Sequence, residues 1–183
     1  MLDSTIFIFT VPIYLLCVWI QRKKNASARK QLIGLVFYIY IWKVIDLTLF
    51  PLPVQKEYIE FMQKIDPMIK HNWIPFYDTY LTIRETEFKS AFYIIGGNIA
   101  LLVPFGFLYS FLVEVKSIKK IGICSFLVSL SIEASQYLIS LVLGFTYRSA
   151  DINDLILNTL GGIIGYIAYQ NYLFIKNRKN LKE

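Results

Sequence analysis

Arg148-Ser-Ala-Asp151-Ile-Asn-Asp154-Leu-Ile-Leu-Asn158-Thr-Leu-Gly161-Gly162-Ile-Ile-Gly165-Tyr166 is the stretch on which the fold turns. Steps of three, three and four residues place Asp151, Asp154 and Asn158 on one stripe of a helix, and Gly161 and Gly165 continue it. Charge at a helix entrance and glycine along the same face describe a helix that enters a membrane and buries its polar side against neighbours. Such a stripe is either a built site or a built joint between helices.

Outward from that stretch, the chain reads as one whose solvent is lipid. Hydrophobic residues make up 56% and aromatics 16%, against 17% charged, and mean hydropathy is +0.50. A soluble domain of this size would carry more charge. Apolar runs at about 4–20, 32–50, 91–113, 121–143 and 155–175 each have the length that crosses ~30 Å of hydrocarbon at 1.5 Å per residue. The fold class that follows is all-α: a multi-pass cell-membrane protein, about five transmembrane helices in a single integral domain over 1–183.

Lysine and arginine set the orientation. Residues 21–31 hold five, 114–120 three and 176–183 four, whereas 51–90 and 144–154 together hold six. The positive-inside bias puts the first three segments in the cytoplasm, with the N-terminus out and the C-terminus in. The net charge of +6 is the same bias, and it favours anionic lipid head groups. No basic face interleaved with exposed aromatics suggests nucleic acid. The first run lacks a basic n-region and ends in Arg22-Lys23-Lys24, so it reads as a retained span, not a cleaved signal peptide. Cys17 and Cys124 lie within spans, where lone cysteines act as small apolar residues.

The outer loop 51–90 opens with Pro51-Leu-Pro53. Val54, Tyr58, Phe61, Met62, Ile65 and Ile69 then recur at helical spacing. That pattern predicts an amphipathic helix in the outer head-group layer, limited by Pro67. His71-Asn-Trp-Ile-Pro-Phe-Tyr77 reads as a turn dipping back to the interface.

Polar residues inside the spans mark the rest. Gly122, Ser125, Ser129, Glu133, Gln136 and Ser140 fall on one face of the fourth span, and Glu133 lies near the bilayer midplane. Lys43 and Asp46, three apart, are placed to pair along the second span. The third span carries Asn98 and then Pro104-Phe105-Gly106, a break whose freed backbone groups need partners. With the topology imposed, Glu133, Gln136, Arg148, Asp151, Asp154, Asn158, Asn98, Lys43 and Asp46 make a candidate outward-facing polar pocket. The structural alternative is that Asn, Gln, Ser and Gly are interhelical glue, that Gly161, Gly162 and Gly165 are a packing seam, and that the aspartates cap the fifth helix.

These residues resemble a known family. Asn72-Trp-Ile-Pro75-Phe76, Asn98 with Pro104-Phe105-Gly106, and Ser131-Ile-Glu133-x-x-Gln136 occur in the same order as in the VanZ-like membrane proteins. Arg148-x-x-Asp151-x-x-Asp154-x-x-x-Asn158-x-x-Gly161-Gly162-x-x-Gly165 completes the pattern. The resemblance runs from about Tyr40 to Tyr166. It implies a cell-envelope protein of the kind named after a teicoplanin-resistance determinant of Gram-positive bacteria. The better-known members lower susceptibility to lipid-tailed glycopeptides without rebuilding the peptidoglycan precursor.

Catalytic patterns are scarce. The chain has no Gly-x-Ser-x-Gly elbow and no His/Cys set at zinc spacing, and its one histidine is His71. The reading leans away from an enzyme, with no cofactor and no metal. It takes membrane lipids as partners, together with an amphiphile in the pocket: a lipoglycopeptide or an envelope lipid, roofed by the 54–69 segment. The alternative is an enzyme or flippase acting on a lipid-linked envelope precursor. There Glu133, Asp151 and Asp154 would hold a divalent cation, or Glu133 would act as general acid/base. Five spans offer no inverted repeat, so transport would call for a homodimer, with the fifth-span glycines as its seam.

Overall fold

The computed structural model describes residues 1–23, 27–85 and 88–180. Lys24 of the basic connector and Lys182 of the basic tail lie outside them. The fold is helical, with one pair of two-residue strands. Where the sequence reads as one domain, the described residues group into two compact units, Met1–Pro67 and Met68–Glu183.

In the first unit a 3-10 helix over Ser4–Thr10 leads into α1, Val11–Lys23. Pro12 has no N–H to donate back to Ile8, so the α-helical ladder cannot extend unbroken through this junction, and the preceding turns close in the tighter form. α2 runs Ala28–Leu49, with the Ser27 hydroxyl accepting from the Lys30 N–H at 3.3 Å. Tyr14 stacks on Tyr38 at 4.5 Å between ring centroids, and Tyr38 shares a 2.6 Å hydrogen bond with Thr10. Leu2 and Leu52 exchange backbone hydrogen bonds of 2.7 and 2.9 Å. α3 covers Lys56–Ile65, within the amphipathic segment expected at 54–69. It stops where Asp66, held out of the helical region by Pro67, takes φ −135° and ψ 72°. Its apolar side chains Tyr58, Phe61 and Ile65 are exposed.

The second unit begins with β1, His71–Asn72, which pairs in parallel with β2, Ala150–Asp151. α4 (Tyr77–Glu85) precedes three long helices: α5 (Phe88–Val113), α6 (Ile118–Leu143) and α7 (Ile152–Asn180). α7 packs on both α5 and α6, most extensively on α5. α5 continues through Pro104 as a single helix. α6 ends on Gly144 at φ 73°, the left-handed cap that glycine adopts without steric cost.

The α5–α7 seam is built on glycine. A Cβ on Gly161 would overlap the carbonyl of Ile99, one on Gly165 the carbonyl of Val103, and one on Gly106 the carbonyl of Gly162. Gly162 faces Ser125 of α6 in the same way. The glycine face expected as a possible dimer seam is therefore filled by helices of the same chain.

Burial runs inside out. The buried residues of α6 include Ser125, Ser129, Glu133, Gln136 and Ser140, while Val142 on the same helix is 86% exposed. Polar residues inward and apolar residues outward is the arrangement of a helix in lipid. Among the described residues three helices are long and apolar enough to cross a membrane: Ala28–Leu49, Lys89–Val113 and Ile118–Leu143. A shorter apolar helix covers Ile8–Ile20. α7 is longer than any of these but falls short in apolar character, because Asn153, Asp154, Asn158, Gln170, Asn171 and three glycines interrupt its apolar residues.

Candidate functional site

The site grows from the start of α7. Asp151 precedes the helix, and its Oδ1 accepts from the Asn153 N–H at 2.7 Å, which caps the first turn. The same oxygen accepts from Asn72 Nδ2 at 3.1 Å. The Asp151 N–H donates to Glu133 Oε2 at 2.9 Å. One aspartate thus ties α7 to α6 and to the β1 strand. Glu133 is 6% exposed.

Two asparagines pin the turn after β1. Asn72 Oδ1 accepts from the Ile74 N–H at 3.1 Å, and Asn153 Oδ1 accepts from the Phe76 N–H at 2.5 Å. Tyr77 N–H reaches back to the Ile74 carbonyl at 3.3 Å, which closes a four-residue turn with Pro75 second and Phe76 third. Phe76 has φ 62°. A turn with proline second and a left-handed third residue favours glycine there, so phenylalanine is held by its surroundings.

Deeper along the stripe, Asn98 of α5 donates from Nδ2 to Asp154 Oδ1. Asn158 Nδ2 donates to Ser129 Oγ at 3.0 Å, and Asn158 is 2% exposed. Ser140 Oγ donates to the Arg148 carbonyl at 3.1 Å and accepts from the Tyr147 N–H at 3.2 Å, fastening the α6–α7 connection. The Arg148 guanidinium lies 5.7 Å from the Tyr147 ring centroid. Gln136 is buried on the Glu133 face of α6.

Seven of the nine residues singled out from sequence (Glu133, Gln136, Arg148, Asp151, Asp154, Asn158 and Asn98) therefore belong to the second unit. Most of them hold one another. Lys43 and Asp46 belong to the first unit and pair with each other, Lys43 Nζ to Asp46 Oδ2 at 3.0 Å. Helical periodicity does not single out Asn153, and Asn72 stands out in the sequence only as part of Asn72-Trp-Ile-Pro75-Phe76. Their partners are 77 and 79 residues distant in the chain, beyond any helical periodicity.

Beside this network is a cavity of about 270 Å³. Trp73, Leu130, Ala134, Tyr137, Ile152 and Leu155 line it with Glu133, Ala150 and Asp151. It is mainly apolar, with two carboxylates, where sequence led us to expect a polar pocket. His71 reaches toward this region, its ring 5.2 Å from Trp73 and 6.1 Å from Tyr137 between centroids. Among the described residues no group of three or more His, Cys, Asp or Glu is placed to hold a metal ion.

No curated protein and no solved structure matches the chain. A family model described as VanZ/LLP1 matches residues 35–175, which takes in the asparagine-pinned turn, the Glu133 face and the whole Asp151–Gly165 stripe, and the chain belongs to that family.

Proposed function

We propose that this protein is a five-span cell-membrane protein, N-terminus out and C-terminus in, that binds an amphiphile at its outer face. The observation that carries the reading is the apolar cavity with Glu133 and Asp151 at its wall. An apolar tail fills the space among Trp73, Leu130, Tyr137 and Leu155. Each carboxylate has one oxygen engaged by the protein's own N–H donors. The second oxygens accept from hydroxyl or ammonium groups of the ligand's head. Binding asks no more of these residues than that.

Two further lengths support five spans. The 3-10 segment and α1 together rise about 33 Å, and the 29 residues of α7 about 43 Å, both enough for a ~30 Å core. The amphiphile is a lipid-tailed glycopeptide such as teicoplanin or an envelope lipid, and sequestering the former lowers susceptibility to it. The alternative, an enzyme or flippase acting on a lipid-linked envelope precursor, would use Glu133, Asp151 and Asp154, each of which already holds a donor of the protein through one oxygen.

Expression in a sensitive Gram-positive host tests the proposal, with teicoplanin beside tail-less vancomycin. The native chain, Ala134→Trp to fill the cavity and Glu133→Gln would be compared at matched membrane levels. Selective protection against teicoplanin that Ala134→Trp abolishes is the expected result. Unchanged susceptibility, together with equal binding of radiolabelled lipoglycopeptide to cells with and without the protein, would sink the antibiotic assignment.

A further inference from the structure

A second cavity, of about 520 Å³, opens at the far end of the same unit. It lies where α5 ends and α7 nears its C-terminus, about 30 Å along α7 from Asp151 at 1.5 Å per residue. Its wall is made by Phe111, Tyr169, Tyr172 and Leu173, and its polar groups are Glu114, Lys116, Gln170 and Lys176. The volume is that of a small-molecule site.

The wall is built, not incidental. Val115 N–H bonds the Ser110 carbonyl at 3.2 Å across the end of α5, and Glu114 between them has φ 52°. Helices end this way on glycine; here a glutamate takes the left-handed position. The turn sets Glu114, buried Val115 and Lys116 side by side on the cavity. Across from them, Phe111 stands edge-on to Tyr169 at 5.9 Å and tilted to Tyr172 at 6.0 Å between centroids. Tyrosine beside lysine is the pairing that anchors protein at a membrane–water boundary.

Charge says what fits. Among the described residues no ion pair joins Lys116 or Lys176 to Glu114, so the three bring their charges to the cavity uncompensated by one another. Two lysines and one glutamate leave it at +1. A phosphate diester carries −1. We propose that this cavity is a binding site for the head group of a phospholipid. Lys116 and Lys176 take the phosphate, Glu114 and Gln170 take the hydroxyl or ammonium donors beyond it, and the aromatic wall receives the glycerol end of the chains. Under the topology above, the lipid comes from the inner leaflet, so the site is distinct from the Glu133 cavity in place and in charge.

Native mass spectrometry of the full chain, purified in dodecyl maltoside and titrated with phosphatidylglycerol, tests this. One lipid retained per chain is expected, with affinity falling at least tenfold in Lys116→Ala/Lys176→Ala. Lys119→Ala/Lys120→Ala, which removes two exposed lysines of the same basic segment that do not line the cavity, should leave affinity unchanged. An equal fall in both double variants would reduce the effect to general basicity and overturn the proposal. Displacement of the lipid by inorganic phosphate at comparable concentration would overturn the lipid as its source.

Discussion

Glu133 shows at the scale of one residue how a joint and a site share atoms. Its carboxylate accepts the Asp151 N–H inside the unit while also lining the apolar cavity. Removing the acceptor leaves a partly buried N–H without its partner, so Glu133→Ala should destabilise by about 1–3 kcal/mol. Glu133→Gln retains an acceptor oxygen and should cost clearly less. Thermal unfolding in detergent reads the difference, and equal loss in both variants would contradict the assigned bond. Asn98 and Asp154 are a cleaner pair, joining α5 to α7 through one hydrogen bond. A double-mutant cycle of Asn98→Ala and Asp154→Ala should give a coupling of about 0.5–2 kcal/mol. Additive effects would show that the two side chains act separately.

Elements meet through what their backbones allow. Ala in place of Gly161 or Gly165 puts a methyl group into a carbonyl of α5, and backbone cannot yield as a side chain can. Each should cost about 1–3 kcal/mol by overpacking. Gly34 and Gly97 have nothing within 4 Å of an added Cβ, so alanine there should be neutral or gain up to ~1 kcal/mol of helix propensity. Melting temperatures of the four variants should separate into these two pairs. The turn before α4 carries the opposite opportunity. Phe76 occupies a left-handed position that costs roughly 1–2 kcal/mol for an L-residue. Phe76→Gly should therefore raise stability by up to ~1 kcal/mol after glycine's entropy is charged against it, while Phe76→Ala should not. The same melting assay checks this, and a gain from alanine would argue against backbone strain.

For the whole molecule the testable statement is topology. In a background of Cys17→Ala and Cys124→Ala, a cysteine at exposed Ser149 should react with an impermeant maleimide on intact cells. One at exposed Lys179 should react only after permeabilisation. The reverse pattern would invert the protein and move the Glu133 cavity to the cytoplasm. Inside-out burial in α6 and exposed apolar surface on α2 both call for lipid around them.

The ends of the long helices to within a few residues, the polar face of α6 and the stripe of α7 from Asp154 onward were legible in the sequence, whereas α4 was not and Asp151 stands in β2 just ahead of the helix. Each legible feature is a local property: apolar length against bilayer thickness, or side chains repeating every 100° along one helix. The Lys43–Asp46 pair was legible for the same reason, being three residues apart. What those faces met was decided only in three dimensions. Asn72 and Asn153 find partners more than seventy residues away, Gly161 and Gly165 close on α5 and Gly162 on α6, and Glu133 meets Asp151 and Asn98 meets Asp154 beside an apolar cavity. Periodicity states which way a side chain points along its helix; the identity of its partner depends on the rotation and depth at which two helices pack, and no single helix encodes that.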